Sequence, residues 1–273
     1  MISITTNTAD TPMLKLIIIQ KATLKITTSI AFILMLMLGA LPAFADSPTV
    51  HLTSLGWPPY SGKELPNNGP SIEVAKAAFK AMGYELVVDF YPWSRAVALA
   101  KDTGSKYAGY FPEYYSDDVA KEFHYSGAMG NGPLGFAQQT AKPITWATLG
   151  DIEKLNVGVV QDYVNTTEFD ARVADGRIKA KAVTSDSTNL VKLANGRLDL
   201  AVVDRNVMNY LKKTDARLKS VADKIEFNSK LLEDKKLYIC FKKNAEGKKL
   251  QEIFDQGLTK IDVAAIMKNG LGQ

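Results

Sequence analysis

The chain has 273 residues, 46% of them hydrophobic and 23% charged, with a formal net charge of +4. That near balance offers no basic surface for a nucleic-acid partner, and the single cysteine, Cys240, excludes an intramolecular disulfide. The length suits one large domain or two lobes.

Lys15, Lys21 and Lys25 precede an apolar run at residues 29–41, and Ala43-Phe44-Ala45 follows it. A basic region, a short apolar core and small residues two apart read as a secretory signal. The run is shorter than the roughly 20 residues of a spanning helix. Residues 1–45 are therefore expected to be cleaved, leaving Asp46 first, with Met13 as an alternative start. No cysteine stands near the cleavage site to carry a lipid anchor. Setting aside Lys15, Lys21, Lys25 and Asp10 lowers the net charge to +2. No later run is long enough to span a membrane, so the mature chain is expected to be soluble outside the cytoplasm.

A first strand is expected at residues 50–55, broken by Trp57-Pro58-Pro59-Tyr60, because proline cannot donate to a ladder. After a polar loop, Val74, Ala75, Ala78, Phe79 and Met82 recur at helical spacing and predict a helix over 71–82, stopped by Gly83. A strand at 85–90, a helix opening at Pro92 or Ser94 and running through Ala100, and a strand at 107–111 follow. A second copy of this strand–helix–strand grammar is predicted from 178 to 204. A strand spans 179–183, Ser185 or Ser187 caps a helix that Gly196 ends, and a strand at 200–203 delivers Asp204 at its carboxyl end. Two βαβ units about 90 residues apart argue for two α/β lobes.

Between them lies a glycine-rich stretch, Tyr125 to Gly135, expected to cross from one lobe to the other and to enter a strand at 134–138. Its Gly130-Asn131-Gly132-Pro133-Leu134-Gly135 matches the dinucleotide pattern G-x-G-x-x-G. That fingerprint must follow a strand and open a helix. Here a strand follows and Pro133 interrupts, so the match is set aside. The second lobe continues with a short helix at 148–154, a buried strand at 157–160, a helix to about Ala174 and another from Asn206 to Lys213. A charged segment to Lys236 and a strand at 237–241 come next. Helices at 248–260 and 262–268 return the chain to the first lobe. The expected lobes are 46–135 with 237–273, and 136–236.

With these elements in place, the sequence resembles the family 3 solute-binding proteins of bacteria, whose best-known members bind amino acids for import by ATP-driven transporters. The likeness rests on the order of Trp57-Pro58-Pro59-Tyr60, the 93–104 segment and Tyr125-Ser126, followed by Leu155 to Gln161, Gly196 to Asp204, and Phe254 to Gly270. It implies an α/β fold of the type II periplasmic-binding-protein kind, with two lobes joined by a two-strand hinge and a ligand cleft between them. It further implies that Asp204 holds a ligand ammonium, whereas on local pattern alone Asp204 reads as a helix N-cap. The family's carboxylate-binding arginine falls at Val119, beside Asp117 and Asp118, and valine offers no guanidinium fork.

Candidate ligand-binding residues are therefore Asp204, Arg95 as a replacement carboxylate partner, Trp93, Tyr60 and Trp57 as aromatic walls, and Glu113 and Asp162 as further acids. Core packing for the aromatics, a solvated helix surface for Arg95 and an exposed loop for Glu113 are the alternatives. A cationic ligand, or a zwitterion dominated by its ammonium, fits this set. His51 and His124 have no metal-ligand spacing, and no nucleophile elbow or Walker loop is present. No catalytic residue, metal or cofactor is expected. The expected role is a periplasmic, monomeric binder of a small polar solute that serves an ABC-type importer. A partner of a membrane sensor is the alternative, and a cyclohexadienyl dehydratase-like enzyme using Glu113 and Asp162 a more distant one.

Overall fold

A computed structural model describes residue 2 and residues 47–272. The cleavable segment expected at 1–45 lies outside the described residues, apart from Ile2. Every element below belongs to the single unit Ser47–Gln273.

Among the described residues nine strands form one sheet, eight of them along a single hydrogen-bonded path. They are β1 (Thr49–Ser54), β2 (Glu85–Phe90), β3 (Gly109–Tyr114), β4 (Phe123–Tyr125), β5 (Gly130–Gln139), β6 (Val157–Val160), β7 (Ala180–Val183), β8 (Leu200–Asp204) and β9 (Ile225–Lys242). The order is β2-β1-β3-β9-β5-β8-β6-β7, with β4 also paired to β9. At one end β2, β1 and β3 run parallel, and at the other β8, β6 and β7 run parallel. Between them β5 and β9 lie antiparallel to each other and to the strands they meet. Each half thus repeats one plan, three parallel strands closed by the two long strands that both halves share. Those two strands carry register shifts around Leu134, Gly135 and Ala137, where the ladder bends.

Helices α1 (Pro70–Ala81), α2 (Trp93–Lys101) and α3 (Asp117–Glu122) belong to the first stretch of chain. Helices α4 (Thr167–Ala174), α5 (Asp186–Ala194) and α6 (Arg205–Thr214) follow, and α7 (Ala245–Leu258) and α8 (Val263–Leu271) end it. The apolar phase read for α1 is its buried face, with Val74, Ala75, Ala78 and Phe79 inaccessible. Phe79 packs on Phe254 of α7 and Phe241 of β9 with ring centroids 5.4 and 6.3 Å apart. Gly257 makes this contact close, since a Cβ there would strike the Ala78 backbone. The last helices therefore do return to the first half of the sheet. Among the described residues no helix is long and apolar enough to cross a membrane.

Two expectations are corrected. The segment read as a charged linker before a short strand at 237–241 is part of the 18-residue β9. Its middle forms a ribbon with β5 whose Lys230, Glu233, Asp234 and Lys236 face solvent. Charge there costs little, and apolar alternation is lost as a signal. The strand expected at 134–138 also begins earlier, because the glycine-rich crossover from Gly130 onward is already β5.

Candidate functional site

The cleft lies where the two halves of the sheet present their strand ends and the loops that follow. The Trp57-Pro58-Pro59-Tyr60 loop after β1 turns inward: Tyr60 is fully buried, and Trp57 stacks on it with centroids 4.6 Å apart. Trp57 also meets the edge of Tyr114, at the end of β3, at 5.9 Å. Trp93, the first residue of α2, stands edge-on to Tyr110 at 5.3 Å and to Tyr163, from the opposite half, at 5.9 Å. Trp57, Trp93, Pro112, Glu113, Tyr114, Tyr163, Val164 and Leu237 line a partly open cavity of about 20 Å³, room for a single water. A larger hollow of about 510 Å³, between the 64–73 region and the end of α8, has Tyr210 as its one aromatic lining residue.

Asp204 ends β8 and opens α6. Its carboxylate accepts the backbone N–H of Asn206 at 2.7 Å and of Val207 at 3.2 Å, a helix N-cap. The same carboxylate accepts the hydroxyls of Tyr60 at 3.1 Å and Tyr114 at 3.3 Å, both from the opposite half. Asn206 adds a bond from its amide to the Tyr60 hydroxyl at 2.8 Å. The cap reading of Asp204 is present in its geometry, and its remaining contacts run to the opposite half, behind the cavity wall. Four donors meet roughly four lone-pair directions. The group is 2% exposed, and burial pushes its pKa up to about 7 against the pull of the Val207 and Asn206 N–H groups.

A second acid lies close by. Asp186, the first residue of α5, is buried, and burial followed by the Asp204 charge raises it to about 7, while the Trp57 side chain donating toward it acts in the other sense. Glu113 in β3 accepts the Tyr114 N–H at 2.8 Å and the Tyr110 hydroxyl at 3.1 Å. Burial raises it to about 8, opposed by those two donors and by the charge of Lys235.

At the rim, the Trp93 indole donates to the Asp162 carbonyl at 2.9 Å and the Ser94 hydroxyl bonds the Asp162 carboxylate. Asp162 is exposed and holds a left-handed φ of 61°, a conformation aspartate tolerates better than most residues. Of the residues nominated from sequence, Trp57, Trp93 and Glu113 line the cavity, Tyr60 and Asp204 form the contact behind it, and Asp162 closes the rim. Arg95 is placed elsewhere. It is exposed, with its guanidinium 5.1 Å from the centroid of the Tyr91 ring, and is not among the lining residues. Val119, in α3, packs partly buried against the core.

Sequence reasoning missed Asp186, Tyr114, Tyr163 and Gly132. Asp186 had a signal, since it follows the Ser185 cap at the same kind of strand-to-helix junction as Asp204. Gly132 sits inside the discarded G-x-G-x-x-G match, and its role here is steric. A Cβ at that point would run into the Asp204 carboxylate and come within 2.9 Å of the Tyr114 hydroxyl. Gly132→Ala is expected to lower stability by about 1–3 kcal/mol and to increase the radius of gyration in small-angle scattering. An unchanged melt and radius would show that the contact has slack.

No protein-family model matches the chain, and no curated protein matches it. Solved structures do. A histidine kinase sensor domain with similarity to periplasmic binding proteins aligns over 83% of this chain and 97% of its own, at 18% identity and a TM-score of 0.70. An ancestral arginine-binding protein bound to arginine aligns over 82% and 97%, at 17% identity and a TM-score of 0.66. A structure from glutathione import by GshT and the cystine ABC importer TcyBC of Streptococcus mutans aligns over 83% and 95%, at 22% identity and a TM-score of 0.64. The fold is the type II periplasmic binding protein fold, two α/β lobes joined by two strands with a cleft between them.

Proposed function

We propose that this chain is an extracytoplasmic solute-binding protein of the family 3 kind, which captures a small polar, amino-acid-like solute by lobe closure and delivers it to an ABC-type importer. The observation that carries this is the cleft itself. Aromatic rings and a buried acid from one lobe face Tyr163 and Asp204 of the other, and the lobes are connected through β5 and β9. The cavity of about 20 Å³ has room for about one water, and a hinge motion of the lobes would admit a solute and close around it. We place the lobe boundaries at 46–135 with 237–273, and at 136–236, with residues 1–45 as a removed export signal to the periplasm and the mature protein a monomer.

The test is a thermal-shift screen of amino acids, amines and small acids on the purified chain. A solute present at 100 times its Kd should stabilise the protein by about 2.7 kcal/mol, which is roughly 5–11 °C in Tm for a protein of this size. A flat response across the screen would overturn the reading.

A second reading is favoured by the sensor-domain likeness: the closed form is read by a membrane sensor in place of a permease. Neighbouring permease and ATPase genes would support import, and a neighbouring sensor-kinase gene would support signalling.

A further inference from the structure

The cleft chemistry narrows the solute beyond the amino-acid-like class, and this step rests on the binding role proposed above. The cavity wall contributes the rings of Trp57, Trp93, Tyr114 and Tyr163 and one carboxyl group, that of Glu113; no lysine or arginine lines it. An amino acid needs a partner for its carboxylate, ordinarily a guanidinium fork or a set of N–H donors. Neither candidate fork is available, because Arg95 lies over Tyr91 at the surface and position 119 is a valine. The nearby cation Lys235 is buried; its ammonium bonds the Tyr115 carbonyl at 3.3 Å and the Glu233 carboxylate at 3.5 Å, stands 5.7 Å from the centroid of the Tyr114 ring and acts on Glu113 by its charge, but it is not part of the wall.

The acids divide in a way that fixes which one can meet a ligand. Asp204 is saturated by two N–H and two O–H donors and does not line the cavity. Glu113 does line it and accepts only two bonds among the described residues, leaving about half of its acceptor positions for a further donor. Aromatic faces attract a cation through the ring quadrupole, and a cation seated beside Glu113 would favour ionisation of a carboxyl that burial otherwise holds protonated.

We infer that the cleft selects a small organic cation without a carboxylate, an amine or guanidine, with Glu113 as its counter-charge and the Trp57, Trp93, Tyr114 and Tyr163 rings around it. Asp204 then acts between the lobes and not on the ligand.

Isothermal titration with matched pairs tests this: agmatine against arginine, cadaverine against lysine, tyramine against tyrosine. At least one amine is expected to bind at least tenfold more tightly than its parent amino acid. Glu113→Gln, whose Oε1 can still accept the Tyr114 N–H while its amide donates to the Tyr110 hydroxyl oxygen, is expected to weaken that amine at least tenfold with its melting curve retained. An amino acid binding as tightly as its amine, or more tightly, overturns the inference and leaves the solute-binding role standing. An amine whose affinity is untouched by Glu113→Gln overturns the assignment of the counter-charge. If no member of either series binds, the inference fails; if the wider thermal-shift screen is also flat, the binding role fails with it.

Discussion

Asp204→Ala is expected to destabilise the protein by about 3 kcal/mol, or roughly 6–12 °C in Tm. The substitution removes an N-cap, which by itself costs about 0.5–2 kcal/mol. It also takes the acceptor from the buried hydroxyls of Tyr60 and Tyr114, each worth about 1–3 kcal/mol if left unmade. Relief of a desolvated carboxylate offsets part of that sum, as does the bond Tyr60 keeps from Asn206. Asp204→Asn retains the cap and should cost about 1 kcal/mol. Urea denaturation of both variants separates the contributions. If the carboxylate acted on the helix alone, Asp204→Asn would cost nothing and Asp204→Ala only the about 0.5–2 kcal/mol of the cap, and an alanine variant as stable as the parent would dismiss the inter-lobe contact altogether.

Stability should be greatest near pH 4 and decline as pH rises to about 8. Asp204 and Asp186 are raised to about 7 and Glu113 to about 8, in each case chiefly by burial. Ordinary carboxyls in an unfolded chain titrate near 4. A carboxyl whose folded value is raised holds its proton more tightly in the folded state. Its stabilising contribution is therefore complete below about pH 4 and is lost as pH rises through 7 to 8, by on the order of a few kcal/mol over the window. Asp215 acts with the opposite sign. Bonding to the Arg217 guanidinium holds it well below the usual range, so its contribution is present above about pH 4 and is lost in acid. Urea midpoints from pH 4 to 9 check the curve. Asp186→Asn should flatten the alkaline limb, and a midpoint that climbed steadily to pH 9 would contradict the raised values.

The elements that set the fold were readable because each depends on a local pattern. The strand Glu85–Phe90 and the strand Val157–Val160 fall where apolar runs and flanking turn residues put them. Helix α1 shows its buried face through three- and four-residue spacing, and Asp204 was recognisable as an acid at the carboxyl end of a buried strand. The pairings inside the cleft were not readable. Tyr60 is 144 positions from Asp204 and Tyr114 is 90, and no periodicity reports which side chains meet across a gap. Arg95 shows the same limit in reverse, for its residue type suited an anion partner but its place on α2 turned it to Tyr91. The six-residue α3 was missed because it is too short to display a phase, and the middle of β9 because a ribbon wetted on both faces has no apolar alternation to show.

The position of β9 also governs the order in which the polypeptide can acquire its structure during synthesis. The free edge of β3 is completed by pairing Gly109 with Phe241, and α1 is covered by α7, residues 245–258. The opening hundred residues therefore cannot close their own sheet until nearly the whole chain has left the ribosome. By contrast β6, β7 and β8, with their helices, lie within 157–214 and contact one another over short sequence separations. Contacts of low separation form fastest. The half encoded in the middle of the chain is thus the first able to fold, and the half that begins the sequence is the last.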